Sequence, residues 1–122
     1  MSEQKNQPLL ARVRFARRGL HYGMRSERSL KFQVTVFALL IAVLLILRPE
    51  PLWWALVLLA SAGVLAAELF NTALEHLIDH LHPAIHAQIR IIKDCAAAAV
   101  LVMTLGAIGV GVALAVHLLR RL

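Results

Sequence analysis

LKFQVTVFALLIAVLLILRPEPLWWALVLLASAGVLAA, residues 30–67, consists of two apolar runs separated by a break that a continuous helix does not cross. Pro49 and Pro51 each lack a backbone N–H, and their rings clash with a preceding helical turn. The RPEP segment, residues 48–51, therefore ends one helix and turns the chain before the next. The first run, Leu30 to Leu47, and the second, Leu52 to Ala67, are each short of the roughly 20 apolar residues a bilayer core requires. Each must take length from polar neighbours. Lys31 and Gln33 extend the first at its start, and the second helix is expected to continue through Glu68 to about Asp79. Both extensions fall at one end of the hairpin, opposite Trp53 and Trp54, which stand where an aromatic interface belt forms.

Working outward, a third apolar run spans Cys95 to Val116, with His117 and Arg120 beyond it. The expected fold is an all-α membrane protein: an amino-terminal surface helix over 9–25, then spans over 30–48, 52–80 with a cytoplasmic extension, and 93–118, in one membrane domain covering 1–122. Composition agrees. Hydrophobic residues make up 60% and charged residues 16%, with a mean hydropathy of +0.72, more apolar surface than a soluble domain of 122 residues covers.

Charge sets the expected orientation. Thirteen Lys and Arg against seven Asp and Glu give a net charge of +6, and eight of the thirteen (Lys5, Arg12, Arg14, Arg17, Arg18, Arg25, Arg28, Lys31) lie at or before the start of the first run. A basic flank of this kind predicts a cytoplasmic amino terminus rather than nucleic-acid binding. Residues 68–94 then return to the cytoplasmic side, and Arg120 and Arg121 lie outside, too few to outweigh the front. The first 30 residues show no apolar signal core or small-residue cleavage site, so no removable signal peptide is expected.

Within LLARVRFARRGLHYGM, residues 9–24, Leu9, Leu10, Val13, Phe15 or Ala16, Leu20 and Met24 recur at near-helical spacing with arginines between them, the pattern of an interfacial amphipathic helix. Gly19 and Gly23 permit close approach of another backbone or a lipid head group. In the third span, Ala96 to Ala99, Gly106, Gly109 and Gly111 predict close helix packing. Cys95, the only cysteine, is read as a small packing residue.

The chemistry concentrates in ELFNTALEHLID, residues 68–79. Glu68, Asn71, Glu75 and Asp79 fall at offsets 0, 3, 7 and 11 and share one helix stripe. Ionisable groups placed against a bilayer core usually face a protein interior or wet cavity and serve function. Lys93, at the start of the third span, is suited either to neutralise phosphate oxygens or to pair with the stripe. Glu27 adds a carboxylate on the same side. Two carboxylates with phosphate oxygens make a hard-oxygen site for Mg2+, and a third carboxylate remains free as a base. The competing reading is noncatalytic, the stripe pairing with Lys31, Arg90 and Lys93, or with a basic partner protein, in a membrane interface. His76, His80, His82 and His86 crowd one segment, but without an HExxH arrangement they are read as solvated interfacial histidines rather than a zinc site. No GxxxxGK[ST] loop, kinase Gly-rich loop or GxSxG elbow is present, so any enzyme here is built from membrane helices.

These residues resemble the small prokaryotic diacylglycerol kinase and undecaprenol kinase family. The resemblance lies in ELFNTALE at 68–75 with Asp79 beyond, KDCAAAAV at 93–100 and SERSLK at 26–31, and extends from about Arg12 to the end of the third span. It implies a surface helix and three spans assembled as a homotrimer, with active sites shared between subunits, in the bacterial inner membrane. It also implies ATP as phosphoryl donor, Mg2+ as cofactor and a membrane lipid hydroxyl as acceptor: diacylglycerol, giving phosphatidic acid, or alternatively undecaprenol. Carried over by position, Glu68 is the general base and contacts the lipid together with Ala97. Glu27 and Glu75 hold the metal, and these two with Asn71, His86, Lys93 and Asp94 bind ATP. Pro8 and Phe15 stand where one branch of the family has an Arg and a Tyr on the surface helix, and Gln33 stands where it has an acid.

Overall fold

A computed structural model of the chain describes residues 6–122. Among these residues the chain forms four helices: α1 (Leu9–Ser26), α2 (Arg28–Leu47), α3 (Pro51–Leu81) and α4 (Ala87–Arg120). The last three are long and apolar enough to cross a membrane.

Length explains where the site lies. The 20 residues of α2 cover about 30 Å, the thickness of a bilayer core. With 31 and 34 residues, α3 and α4 reach about 46 and 51 Å and must project beyond it. Their polar segments, the end of α3 and the start of α4, project at the same end, away from RPEP. That common overhang carries the candidate site.

The RPEP turn is built as its prolines demand. Arg48 closes α2 in the left-handed region (φ 47°), with its N–H bonded to Leu44 O at 2.9 Å. Pro51 opens α3, where its missing N–H costs no helical hydrogen bond. The end of α4 is held to this turn. Arg121 lies 3.3 Å from Glu50 Oε1, and the His117 ring stacks at a tilt on Trp53, 5.2 Å between centroids. His117 Nε2 is also 3.3 Å from Glu50 Oε2, though without hydrogen-bond geometry. Arg121 thus has a local carboxylate.

Packing is strongest between α3 and α4. A small core of Leu44, Val57 and Leu114, flanked by Trp53 and Trp54, fills the RPEP end. Most other large apolar side chains stay outside it; Leu59 and Phe70 are 74% and 78% exposed, surface that lipid or neighbouring protein has to cover.

Two packing expectations change. A Cβ on Gly106, Gly109 or Gly111 would meet nothing within 4 Å, so these glycines do not mediate close approach within the chain. At Gly63 a Cβ would meet only the flexible end of the Met103 side chain on α4, which can move aside. On α1, Gly19 is open, whereas a Cβ on Gly23 would lie 2.7 Å from Leu30 Cδ2 and 3.1 Å from Leu69 Cδ2, so Gly23 seats α1 against both α2 and α3. The helix that carries the expected third span itself starts at Ala87, six residues ahead of 93, where His86 caps it: Nδ1 accepts the Gln88 N–H at 3.1 Å. A run-based reading starts where apolarity starts, and Gln88 and Arg90 hide the first turns.

Candidate active site

The buried positions Val57, Val64, Glu68 and Thr72 are spaced 7, 4 and 4, one face of α3, so Glu68 lies on the packed face and not toward lipid. Exposure rises along the stripe as α3 leaves the bundle. Glu68 is 8% exposed, Asn71 and Glu75 are half-buried, and Asp79 is exposed. The Glu68 carboxylate accepts a hydrogen bond from Ser29 Oγ to Oε2 at 3.1 Å. One oxygen is thereby oriented by α2.

A second contact sits two turns further along α3. His76 Nδ1 lies 2.9 Å from the Thr72 carbonyl, which only accepts, so Nδ1 carries a proton and in the neutral ring Nε2 accepts from the Tyr22 hydroxyl at 3.0 Å. The two rings meet edge to face at 5.6 Å. His76 is therefore more than a solvated interfacial side chain; it docks α1 on α3. The contacts at Glu68 and His76 are eight residues apart, about 12 Å along the helix, and the α1–α2 junction is strung between them. Glu27 is that junction.

Backbone geometry leaves the Glu27 side chain available. The residue is extended (φ −113°, ψ 120°), its N–H closes α1 on Gly23 O at 2.9 Å, and its carbonyl accepts the Lys31 N–H at 3.3 Å as α2 begins. Its carboxylate makes no capping hydrogen bond. Among the described residues neither Glu27 nor Glu75 forms an ion pair, and Asn71 Oδ1 is buried without a hydrogen-bond partner. These are three oxygen donors left over by the fold. No three His, Cys, Asp or Glu side chains among the described residues cluster into a metal cage. Glu27, Glu68 and Glu75 thus do not converge into a three-carboxylate site within one chain. A two-carboxylate set still fits a hard cation such as Mg2+, which keeps water and phosphate oxygens as its remaining ligands.

At the outer end of the overhang, the end of α3, the 82–86 loop and the start of α4 enclose a cleft of about 240 Å³. His86, Lys93 and Asp94, all expected at the site, line it together, as do Asp79, His82 and Arg90. Lys93 Nζ bonds Asp79 Oδ1 at 2.6 Å, so of the two roles open to Lys93 the structure realises the pairing with the stripe. Ala97 is exposed on α4, one turn beyond Lys93 and Asp94.

Directly below Glu68 an apolar groove of about 380 Å³ runs between α2, α3 and α4. Val64 and Gln33 line it, one turn from Glu68 and Ser29 respectively, followed by Val36, Leu40 and Ile108. The buried, hydrogen-bonded Glu68 carboxylate thus lies one helical turn beyond Val64 at the edge of this groove.

The family model described as prokaryotic diacylglycerol kinase matches residues 14–115. The chain belongs to this family. It is 34% identical over 104 residues to a diacylglycerol kinase of Synechocystis sp., an alignment covering 84% of this chain and 59% of that protein. It is 30% identical over 87 residues to an undecaprenol kinase of Bacillus subtilis, covering 71% of each. The chain thus spans less than two thirds of the length of the Synechocystis relative. No solved structure gives a significant match. All three motif segments, residues 26–31, 68–79 and 93–100, lie within the matched region. Of the residues found at the site, Tyr22 was passed over by sequence reading, Ser29 stood in the 26–31 segment without a role, and Arg90 stood only as a pairing candidate for the stripe. Ser29 had a visible signal, a hydroxyl two positions after Glu27; Tyr22, whose partner is 54 residues away, had none.

Proposed function

We propose that this family member is an ATP-dependent lipid kinase that phosphorylates the hydroxyl of diacylglycerol to give phosphatidic acid. The observation that carries the reading is the buried Glu68 carboxylate, held by Ser29 at the edge of the apolar groove. A lipid alcohol whose chains lie in that groove presents its hydroxyl to Glu68. The hydroxyl oxygen attacks the γ-phosphorus of ATP, the bond to the ADP oxygen breaks, and the hydroxyl proton passes to the Glu68 carboxylate. Asn71, His86, Lys93 and Asp94 hold and orient the nucleotide, and Ala97 leaves room for the lipid.

Glu27 and Glu75 are the residues that would hold Mg2+, whose chemistry is to neutralise phosphate charge. Glu75→Gln should raise the Mg2+ concentration for half-maximal turnover on the order of tenfold, because one of two protein ligands is lost. A Mg2+ titration like that of the parent protein would remove Glu75 from the metal site.

The exposed Leu9, Leu10 and Val13 on α1, alternating with exposed arginines, support a helix lying in the membrane interface. The basic flank supports a cytoplasmic amino terminus in the inner membrane, and family membership supports a homotrimer with shared sites.

Undecaprenol is the alternative acceptor, favoured by the more evenly covered Bacillus subtilis relative. The deciding experiment supplies purified protein in mixed micelles with labelled ATP, Mg2+ and each lipid in turn. Label in phosphatidic acid is the expected result. Label only in the polyprenol phosphate selects the alternative, and no labelled lipid at all supports the noncatalytic interface reading.

A further inference from the structure

The cleft at the end of the α3–α4 overhang has a charge balance that motif reading does not provide. Four permanently charged side chains line it: Asp79 and Asp94 negative, Arg90 and Lys93 positive. Lys93 is bound to Asp79 at 2.6 Å, so its charge is locally compensated. Arg90 has no carboxylate partner among the described residues.

The two histidines on the cleft add polarity but no fixed charge. His82 Nδ1 lies 3.3 Å from the Ala84 carbonyl and must donate, which in the neutral ring leaves Nε2 as an acceptor. His86 Nδ1 accepts the Gln88 N–H, which places the ring proton on Nε2. A polyanion entering this cleft therefore meets Arg90 as the cation not held in an ion pair among the described residues, with the equally unpaired Asp94 one turn away on the same face. Arg90 is also well placed. It precedes Lys93 and Asp94 by three and four residues on α4, so the three share a face, and it lies one turn further from the apolar span.

We propose that Arg90 is a nucleotide-binding residue, its guanidinium holding the α- and β-phosphates of the donor nucleotide while Lys93 serves the phosphoryl group being transferred. The inference rests on the lipid-kinase reading for the identity of the nucleotide. Its chemistry is that of a planar fork of N–H donors, which matches two phosphate oxygens at once and which an ammonium reproduces only as a point charge.

The test measures binding of MgADP and of adenosine to the purified 122-residue chain in detergent by calorimetry, alongside kinetics. Arg90→Gln should weaken MgADP about tenfold or more and leave adenosine unmoved. It should raise KM for ATP by a similar factor with kcat held within about twofold and the lipid KM unchanged, and Arg90→Lys should recover part of the loss. MgADP binding by Arg90→Gln equal to that of the parent overturns the proposal, as does a parent protein that does not bind MgADP. The two readings fail separately. Arg90-dependent MgADP binding without any phosphorylated lipid keeps Arg90 and sinks the kinase reading; lipid phosphorylation with an unchanged KM for ATP in Arg90→Gln does the reverse.

Discussion

Glu68→Gln is expected to lower lipid phosphorylation by about 10²- to 10⁴-fold, the range lost when a general base is removed, with the protein still eluting as the parent assembly. The substitution isolates proton transfer. Gln has the shape of Glu and keeps an oxygen to accept from Ser29 Oγ, so the contact between α2 and α3 survives. Its amide cannot take the hydroxyl proton. Because Glu68 is 8% exposed, solvent carboxylates cannot easily replace it. The measurement is initial velocity at saturating ATP and lipid, with size-exclusion chromatography as the check on assembly. Wild-type-like velocity would show that the proton leaves by another route and that Glu68 serves only the helix contact.

Why Glu68 was legible and its pairing with Ser29 was not follows from the range of the interactions. Apolar runs and the RPEP break are local signals, and they anticipated three long helices, an α3 continuing past Glu68, and a polar overhang at one end. Glu68 could be singled out because a carboxylate one residue after an apolar run already implies a partner or a function. The partners themselves are tertiary. Ser29 meets Glu68 across 39 residues and Tyr22 meets His76 across 54, and neither spacing has a periodicity to read. Helix packing is tertiary in the same way: a glycine-rich run marks where close approach is permitted, and within this chain no facing helix uses Gly106, Gly109 or Gly111. The start of α4 depends on a single capping histidine that no hydropathy pattern reveals.

Lys93 is where sequence left two roles standing, and a pair of substitutions separates them. Lys93→Gln is expected to lower kcat by about 10²- to 10³-fold, the loss typical of removing one group that stabilises charge in a transition state. The Asp79 pair cannot account for such a loss. With side chains 34% and 63% exposed, an ion pair of this kind contributes about 0–1 kcal/mol to stability, against the about 2.7–4 kcal/mol that the kinetic loss represents. Asp79→Asn breaks the same pair from its other side and leaves the ammonium in place. It should therefore keep kcat within a few-fold, roughly the upper end of what an exposed pair supplies. If Lys93 contributes only by tying the end of α3 to α4, the two variants lose activity equally. Parallel kcat and KM measurements for ATP on both decide this, because a charge directed at phosphate makes the lysine far more costly to remove than its partner, and equal losses would reduce Lys93 to a structural tie.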